Sequence, residues 1–455
     1  MSQFSAVDEY LKHNMDQSIA ELSSLVAQPS VAAQNWGIPE CAELVAGMLR
    51  KRDFKVEVIA TGGSPIVYAE RSDGIEATKT LLFYNHYDVQ PPEPLELWES
   101  PPFDPQIRGN KLFGRGVSDD KGHITSRLYA IDALLETQGD LTCNVKFVIE
   151  GEEETSSQHL ADFVKRNASK LETDACIWEF GGVDHRDVPL QYLGLRGICY
   201  VELSVETADI DVHSGLGGSI FPNAAWRLVW ALNSLKDENE DILLPGFYDD
   251  IIPYTNRDRE LFALLPDLAE EYKQRYGVSG FIKGLNGGID LRIAEVFEPS
   301  CTICGLSSGY QGEGPKTVLP AGAKAKIDFR LVPGQNPQKV LASLREHLDT
   351  QGFADIKIEY LGGESPSKTD PDNPFVALVV QSAETIYREP MQVVPMVGGS
   401  GPGHVFEETL NVPIATAGIG HPGSQAHAPN ENIRLDLYLK GAQHIARILT
   451  NFGTI

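Results

Sequence analysis

Two apolar runs, each ending in residues that can bind a metal ion, constrain the fold of this chain most strongly. Residues 79–85 have the composition of a buried strand and lead directly into His86 and Asp88. Residues 144–149 form a second run of this kind, and the acidic series 150–154 begins where it ends. Active sites lie at the carboxyl ends of strands in open α/β sheets. The sequence therefore predicts an α/β sheet with a carboxylate-rich metal site at one edge.

His86 and Asp88 are suited to act together. Residues i and i+2 of an extended chain share a face, so Asp88 can accept a hydrogen bond from the imidazole. That bond would fix the tautomer that leaves the other ring nitrogen free for a metal. A further acidic pair, Asp119 and Asp120, precedes a helical pattern over 124–135. Negative charge is favoured at a helix N-terminus, but a simple cap would need only one acid.

Composition bounds the class of protein. A chain of 455 residues exceeds what one core normally supports, so we expect two domains. The formal net charge of -26 argues against nucleic-acid binding, which favours a basic surface. No apolar run reaches the ~18 residues that a membrane helix needs, and the N-terminus resembles no signal peptide. We expect a cytoplasmic protein that binds neither nucleic acid nor membrane.

The order of predicted elements indicates a discontinuous first domain. Helices are predicted over 7–28 and 39–52, and a strand over 55–60. Beyond residues 193–197 the order of predicted strands and helices changes to an α+β pattern, which indicates an inserted domain. Its predicted elements are strands over 198–206, 323–330 and 355–360 and helices over 223–233 and 337–350. An α/β pattern resumes near 375. The predicted domains are 1–196 and 374–455 for the catalytic part and 197–373 for the insertion.

Six motifs occur in the order typical of one enzyme family. They are Asn-His-Tyr-Asp-Val-Gln (85–90), Gly-Arg-Gly-Val-Ser-Asp-Asp-Lys-Gly (114–122), Glu-Gly-Glu-Glu-Glu (150–154), Gly-Leu-Arg-Gly (194–197), Val-His-Ser-Gly (212–215) and Ala-His-Ala-Pro-Asn-Glu (426–431). With these motifs the chain resembles the M20 family of di-metal aminoacyl hydrolases, and within it the carnosinase-type dipeptidases. The resemblance implies an α/β catalytic domain, with a central mixed sheet flanked by helices, and an inserted α+β lid and dimerisation domain.

The resemblance also implies two divalent metal ions per subunit. His86 and Glu179 would hold one ion, Glu154 and His427 the other, and Asp119 would bridge both, with a cis peptide bond after it. A carboxylate suits a bridge because its oxygens can face ions ~3.5 to 4 Å apart. Nitrogen and oxygen donors without a thiolate suit Zn²⁺ best here, with Mn²⁺ or Co²⁺ also possible.

The acidic run 152–154 leaves the register open. The family's general base directly precedes a metal ligand, which favours Glu153 as the base and Glu154 as the ligand. A register slipped by one residue is the alternative, and Ser156 stands where the family usually has glycine. Asp88 joins Glu153 and His213 in the predicted catalytic set.

Two ligand assignments have nearby competitors. Glu179 follows the strand-like Cys176-Ile-Trp178, but Asp184 and His185 come soon after it. His421 lies six residues before His427, which is preferred because Asn430-Glu431 follows it as in the family.

The substrate residues also come from the resemblance. Arg330 would pair with a substrate's C-terminal carboxylate, Ser400 lies in a glycine-rich loop, and Thr317 would come from the lid of a partner. His213 of the partner subunit would stabilise the oxyanion, so the active enzyme would be a homodimer formed through its lid.

The predicted function is that of a metal-dependent dipeptidase, a hydrolase that cleaves the amide bond of short peptides with a free C-terminal carboxylate. A metal-bridged hydroxide would attack the amide, with Glu153 as general base. An N-acyl amino acid deacylase or desuccinylase of the same family is the alternative, and a non-catalytic binding protein is a remote one. A nucleotide site at 398–403 is disfavoured, since no Lys-Ser or Lys-Thr follows the glycines.

Overall fold

The chain forms two compact units. The computed structural model of the protein describes residues 4–72 and 77–454. One unit extends through Leu193 and includes Thr369–Pro395 and the chain from Val405 onward, and the second comprises Gly194–Lys368 and Met396–His404. The insertion therefore has one more segment than the sequence predicted. That segment joins the second unit through a bridge from Leu195 to Val397 and a hydrogen bond from the Arg196 amide to the Gly399 carbonyl.

The first part of the first unit alternates strands and helices. Its helices are α1 (Ser5–His13), α2 (Met15–Ala27), α3 (Ile38–Arg50), α4 (Lys121–Gln138) and α5 (Leu160–Arg166). Its strands are β1 (Lys55–Ile59), β2 (Ile66–Arg71), β3 (Thr80–His86), β4 (Gln106–Arg108), β5 (Lys111–Phe113), β6 (Asn144–Glu150), β7 (Ala175–Trp178), β8 (Gly182–Val183) and β9 (Pro189–Tyr192).

The second unit contains the larger antiparallel sheet and its helices. Its strands are β10 (Gly194–Leu195), β11 (Gly197–Glu206), β12 (Val212–His213), β13 (Ser300–Ser308), β14 (Val318–Leu319), β15 (Gly322–Leu331), β16 (Lys357–Glu364) and β17 (Ser367–Lys368). Its helices are α6 (Ser214–Gly217), α7 (Ala224–Leu235), α8 (Asn256–Leu264), α9 (Ala269–Tyr276), α10 (Gly288–Phe297) and α11 (Pro337–Thr350).

The rest of the chain adds helices and short strands. They are helices α12 (Pro374–Ala383), α13 (Gly403–Leu410) and α14 (Leu435–Phe452) and strands β18 (Gln392–Val394), β19 (Ile414–Thr416) and β20 (Asn432–Arg434). Short 3-10 helices occur at Ala32–Gln34, Leu95–Leu97, Glu153–Thr155 and Ile282–Gly284.

A mixed six-stranded sheet forms the centre of the first unit. Its strand order is β1-β2-β6-β3-β7-β19. Strand β3 runs parallel to both β6 and β7, β7 runs parallel to β19, and β2 pairs antiparallel with β6. Strand β3 is buried over almost its whole length, as its run of apolar and aromatic residues predicts. The parallel arrangement brings the carboxyl ends of β3, β6 and β7 to one edge.

The predicted helix over 7–28 is divided. Helix α1 ends at His13 and α2 begins at Met15, with Asn14 between them. The Asn14 side-chain amide donates to the Tyr10 carbonyl at 2.9 Å. Asparagine competes in this way for backbone carbonyls, which explains the interruption. The prediction of a single helix was wrong at this point, because the spacing of apolar residues contains no information about such a local hydrogen bond.

The second unit is built on a four-stranded antiparallel sheet of order β13-β15-β11-β16. Alternate residues of β11 and β15 are buried on one face. Helices α7 and α11 cover that face and form a core with it. The predicted α+β composition of the insertion is confirmed, since strands 198–206, 323–330 and 355–360 and helices 223–233 and 337–350 all have observed counterparts.

In residues 4–72 and 77–454, no helix combines the length and apolar character needed to cross a membrane.

Candidate metal centre

The carboxyl edge of the first unit's sheet carries the predicted ligands. His86 is the last residue of β3 and pairs in register with Glu150, the last residue of β6. Glu153 and Glu154 follow β6 in a short 3-10 helix, and Glu179 directly follows β7. Parallel neighbouring strands thus bring these side chains to one edge of the sheet.

Asp119 lies between two histidines. Its Oδ1 atom is 3.0 Å from Nε2 of His86, and its Oδ2 atom is 2.9 Å from Nε2 of His427. Nε2 of His427 is also 3.2 Å from Oε2 of Glu154. The peptide bond that joins Asp119 to Asp120 is cis. Each carboxylate oxygen of Asp119 therefore faces a different imidazole, an arrangement suited to a bridging ligand.

The donor atoms form two groups that share Glu154. One group contains His86, Glu153 and Glu154, and the other contains Asp119, Glu154 and His427. Within each group the ligand atoms lie within 4.8 Å of one another. Imidazole nitrogens and carboxylate oxygens without a thiolate are a donor set that suits Zn²⁺ or Mn²⁺.

Asp88 orients the side chain of His86 and the backbone of Glu153 and Glu154. Nδ1 of His86 is 3.1 Å from the Asp88 carbonyl oxygen and 3.4 Å from Oδ1 of its carboxylate. The backbone amides of Glu153 and Glu154 donate to the Asp88 carboxylate at 3.3 and 3.0 Å. Asp88 is fully buried. With Nδ1 held in this way, Nε2 of His86 faces Asp119, and the nearer acceptor of Nδ1 is the carbonyl oxygen of Asp88 rather than the carboxylate that the sequence suggested.

Glu179 is buried, and its Oε2 atom has no hydrogen-bond partner among the residues that the structure describes. Burial raises the pKa of Glu179 well above its usual value, and the neighbouring carboxylate of Glu153 adds to this effect. A buried carboxylate oxygen without a partner is unfavourable, and a cation would satisfy it. Its sequence competitor Asp184 instead accepts hydrogen bonds from Arg186 and from the Val188 amide in a turn.

His185 and two further sequence alternatives, Glu152 and His421, lie outside both donor groups. Oε1 of Glu152 accepts from the Ser64 amide at 2.9 Å, and Oε2 is 2.8 Å from Nδ1 of His159. His421 has Nε2 at 3.2 Å from Oδ1 of Asn432 and accepts from the Gly423 amide through Nδ1.

Ser156 follows the acidic run at a residue where the family usually has glycine. Its φ of 74° lies in the left-handed region that glycine adopts most readily.

The charges of the site are unbalanced. Hydrogen bonds with Asp119 and Glu154 raise the pKa of His427 to about 10. Burial alone would raise the pKa of Asp119, but hydrogen bonds from His427 and His86 lower it below its usual range. Burial raises the pKa of Glu153, opposed by His86 and reinforced by Glu154. Carboxylates outnumber imidazoles here, so the electrostatic field favours a bound cation.

Glu431 supports the Asp119 loop, a role that the sequence did not assign. Its carboxylate accepts hydrogen bonds from the amides of Gly116, Ser118 and Asp119 at 2.8, 2.8 and 3.0 Å and from the guanidinium of Arg115 at 2.8 Å. The only signal for it was its place in the 426–431 motif. Glu431 fixes the backbone from which Asp119 projects.

Arg127 of α4 binds the carboxyl ends of the strands, a role that the sequence analysis did not assign. Its guanidinium donates to the carbonyls of Tyr84, Trp178 and Glu179 and to the Asn85 side chain. Arg127 is fully buried. It therefore joins the ends of β3 and β7, where His86 and Glu179 lie.

The remaining predicted residues lie in the second unit. His213 of β12 pairs with Val318 of β14, and the Ser214 amide donates to the Thr317 carbonyl at 3.1 Å. The side chains of His213 and Thr317 are exposed. Nη1 of Arg330 donates to Oγ of Ser400 at 2.8 Å. The second unit thus carries two separate pairs of predicted substrate residues, His213 with Thr317 and Arg330 with Ser400.

Residues 82–451 match the model of peptidase family M20/M25/M40. The chain belongs to this family. It is a metallopeptidase that binds divalent metal, and the resemblance and fold class predicted from the sequence are confirmed.

Individual relatives are similar over nearly the whole chain. The Cys-Gly metallodipeptidase dug1 of Schizosaccharomyces pombe is 29% identical over 458 residues, which cover 95% of this chain and 95% of that protein. The M20 family metallo-carboxypeptidase Sso-CP2 from Sulfolobus solfataricus is 36% identical, with a TM-score of 0.90 and coverage of 96% of this chain and 99% of that chain. Human carnosine dipeptidase 1 is 26% identical, with a TM-score of 0.77 and coverage of 99% and 100%.

Replacing Arg127 should destabilise the first unit. We expect Arg127→Met to lower the free energy of unfolding by more than about 3 kcal/mol, because each buried oxygen left without a donor costs about 1–3 kcal/mol. Urea denaturation measures the change. Arg166→Met, at an exposed i,i+4 ion pair with Asp162, is the control and should change stability by less than about 0.5 kcal/mol. Equal effects of the two substitutions would contradict this role for Arg127.

Proposed function

We propose that this metallopeptidase uses two divalent ions to hydrolyse the amide bond of dipeptides or other short peptides that have a free C-terminal carboxylate. The observation that carries the proposal is the position of Asp119, whose two oxygens face His86 and His427 at 3.0 and 2.9 Å. A single carboxylate between two separate imidazoles is the arrangement expected of a ligand shared by two ions.

Each ion would have its own ligands in addition to Asp119. His86 and Glu179 would hold one ion, and Glu154 and His427 the other. The unpartnered buried oxygen of Glu179 supports its assignment, since a ligand needs a free donor atom. We propose Zn²⁺ as the native metal, with Mn²⁺ and Co²⁺ as substitutes that the same donors accept. When bound, such ions lower the pKa of water and polarise the scissile carbonyl.

Glu153 would move the protons. It lies in the donor group of His86 and Glu154, and its backbone amide is fixed by Asp88. Glu153 would accept the proton of the attacking water and then donate a proton to the leaving amine. Its burial raises its pKa, which makes it a stronger base than a solvated glutamate.

Glu153→Gln should abolish turnover and leave metal content unchanged, because the amide keeps the shape of the side chain but cannot accept the proton. A loss of kcat of about 10²-fold or more is expected for a general base. Steady-state kinetics and metal analysis of the purified variant test this. Glu152→Gln is the matched control in the same acidic run and should retain turnover. Loss of turnover with intact metal content in Glu152→Gln, together with loss of metal in Glu153→Gln, would favour the slipped register.

Substrate recognition is assigned to Arg330 and Ser400. The guanidinium of Arg330 is already ordered by Ser400, and Oδ2 of Asp328 lies 3.7 Å from its Nε. A planar guanidinium can bind a carboxylate through two hydrogen bonds. Dipeptides and longer peptides both present a free carboxylate beside their last amide bond. The names of the relatives, a Cys-Gly metallodipeptidase and a metallo-carboxypeptidase, agree with such substrates.

Removing either partner of this interaction should weaken binding. We expect a dipeptide amide to be hydrolysed about 10-fold or more less efficiently than the free acid, because a hydrogen bond to a charged group contributes about 1.5–3 kcal/mol. Arg330→Lys should reduce kcat/KM for the acid and leave the poor rate for the amide unchanged. Equal rates for acid and amide in the wild type would contradict the assignment.

N-acyl amino acids present the same carboxylate, so the deacylase alternative needs its own measurement. Rates on dipeptides are compared with rates on N-acetyl and N-succinyl amino acids. Faster hydrolysis of the acyl substrates would favour a deacylase. A non-catalytic binding protein is disfavoured because each assigned ligand position, and the position of the base, has a competent residue.

We further propose that the active enzyme is a homodimer formed through the second unit, with the partner's His213 stabilising the oxyanion. That unit exposes large apolar side chains, with Trp226 57% and Trp230 56% exposed on α7 and Leu306 56% exposed on the edge strand β13. Apolar exposure of this kind is typical of a protein interface.

Mixing two inactive variants tests this arrangement. Glu153→Gln and His213→Ala chains, unfolded together and refolded, should recover up to about a quarter of wild-type activity, since half of the dimers then contain one intact site. Each variant refolded alone is the control. Activity that does not return, although light scattering shows mixed dimers, would exclude the shared site.

A further inference from the structure

The free face of the second unit's sheet carries a row of three residues beside the proposed carboxylate site. Arg330 of β15 and Glu364 of β16 both pair in register with Ile198 of β11. Directly paired residues share a face, and this face is opposite to the one covered by α7 and α11. Neighbouring strands are about 4.8 Å apart, so the Cα atoms of Arg330 and Glu364 are about 10 Å apart.

The segment Met396–His404 contacts both ends of this row. Oγ of Ser400 accepts from Arg330 at 2.8 Å, and Nδ1 of His404 lies 3.3 Å from Oε2 of Glu364. Open space surrounds the two glycines at the start of the loop, Gly398 and Gly399, where an added side-chain carbon would meet nothing within 4 Å. One segment thus contacts both Arg330, which is proposed to bind a substrate carboxylate, and Glu364, an acid on the same face.

Glu364 has no cationic partner in the part of the chain that the structure describes. Its one ion-pair contact is His404, and the two side chains are 18% and 15% exposed. Burial raises the pKa of Glu364 to about 7 and lowers the pKa of His404 to about 4, so the imidazole supplies no charge near neutral pH. A carboxylate held largely out of water without a cation is unfavourable, and a charged ligand group would compensate it.

We propose that Glu364 is a specificity-determining residue, which pairs with a basic side chain on the substrate residue whose carboxylate binds Arg330. This inference rests on the proposed function, because it assumes the carboxylate site at Arg330. The preferred substrates are then short peptides that end in lysine or arginine.

Wild-type enzyme loaded with Zn²⁺ is assayed with Ala-Lys and with Ala-Met, whose side chain is similar in length but uncharged. We expect kcat/KM to be about 10-fold or more higher for Ala-Lys, the effect of one charge-assisted contact. Glu364→Gln should reduce this ratio about 10-fold, since glutamine keeps the shape of the side chain but not its charge. Glu359→Gln, at an exposed glutamate of the same strand, should leave the ratio unchanged.

A purely structural role for Glu364 predicts a different result. If the pair only fastens the segment, Glu364→Gln should affect both dipeptides equally, and an unchanged Ala-Lys to Ala-Met ratio would overturn the proposal.

Calorimetric titration of both dipeptides into the Glu153→Gln holoenzyme, with and without the Glu364→Gln substitution, separates this inference from the proposed function, because binding does not require turnover. Tighter binding of Ala-Lys that depends on Glu364 supports the inference. If the wild-type enzyme hydrolyses no peptide in the same study, that result contradicts the proposed function alone. Equal affinities would overturn the inference alone.

Discussion

The placement of the Asp119 carboxylate between two imidazoles is the constraint on which the rest of the first unit depends. Its oxygens lie 3.0 and 2.9 Å from His86 and His427, residues far apart in the sequence. Around this carboxylate lie further acids whose mutual repulsion opposes burial. Bound cations would offset this repulsion, which links the stability of the first unit to its metal chemistry.

Hydrogen bonds from three buried side chains outside the proposed ligand set keep the ligands in place. Glu431 accepts hydrogen bonds from three backbone amides of the Asp119 loop, and Asp88 accepts from the amides of Glu153 and Glu154. Arg127 fastens the strand ends beneath them. Outer residues of this kind orient metal ligands, and their loss commonly weakens metal affinity. The preorganised site therefore extends well beyond the residues that would touch an ion.

Sequence patterns predicted what depends on local composition. The apolar runs predicted β3 and β6, and the predicted helix over 337–350 has the observed bounds of α11. The family motifs named residues that the structure brings together around Asp119. Patterns did not predict the break at Asn14, which depends on one side-chain hydrogen bond. They also did not predict Arg127, Glu431 or the Met396–His404 segment, because these depend on contacts between residues distant in the chain.

The central claim is that Asp119 is shared by two metal ions, and crystals grown with Zn²⁺ test it most directly. Anomalous difference maps, collected above and below the zinc absorption edge, locate each ion independently of the refined protein atoms. The account predicts two peaks, one on each side of the Asp119 carboxylate, with His86 beside one and His427 beside the other. A single peak, or two peaks of which only one contacts Asp119, would contradict it.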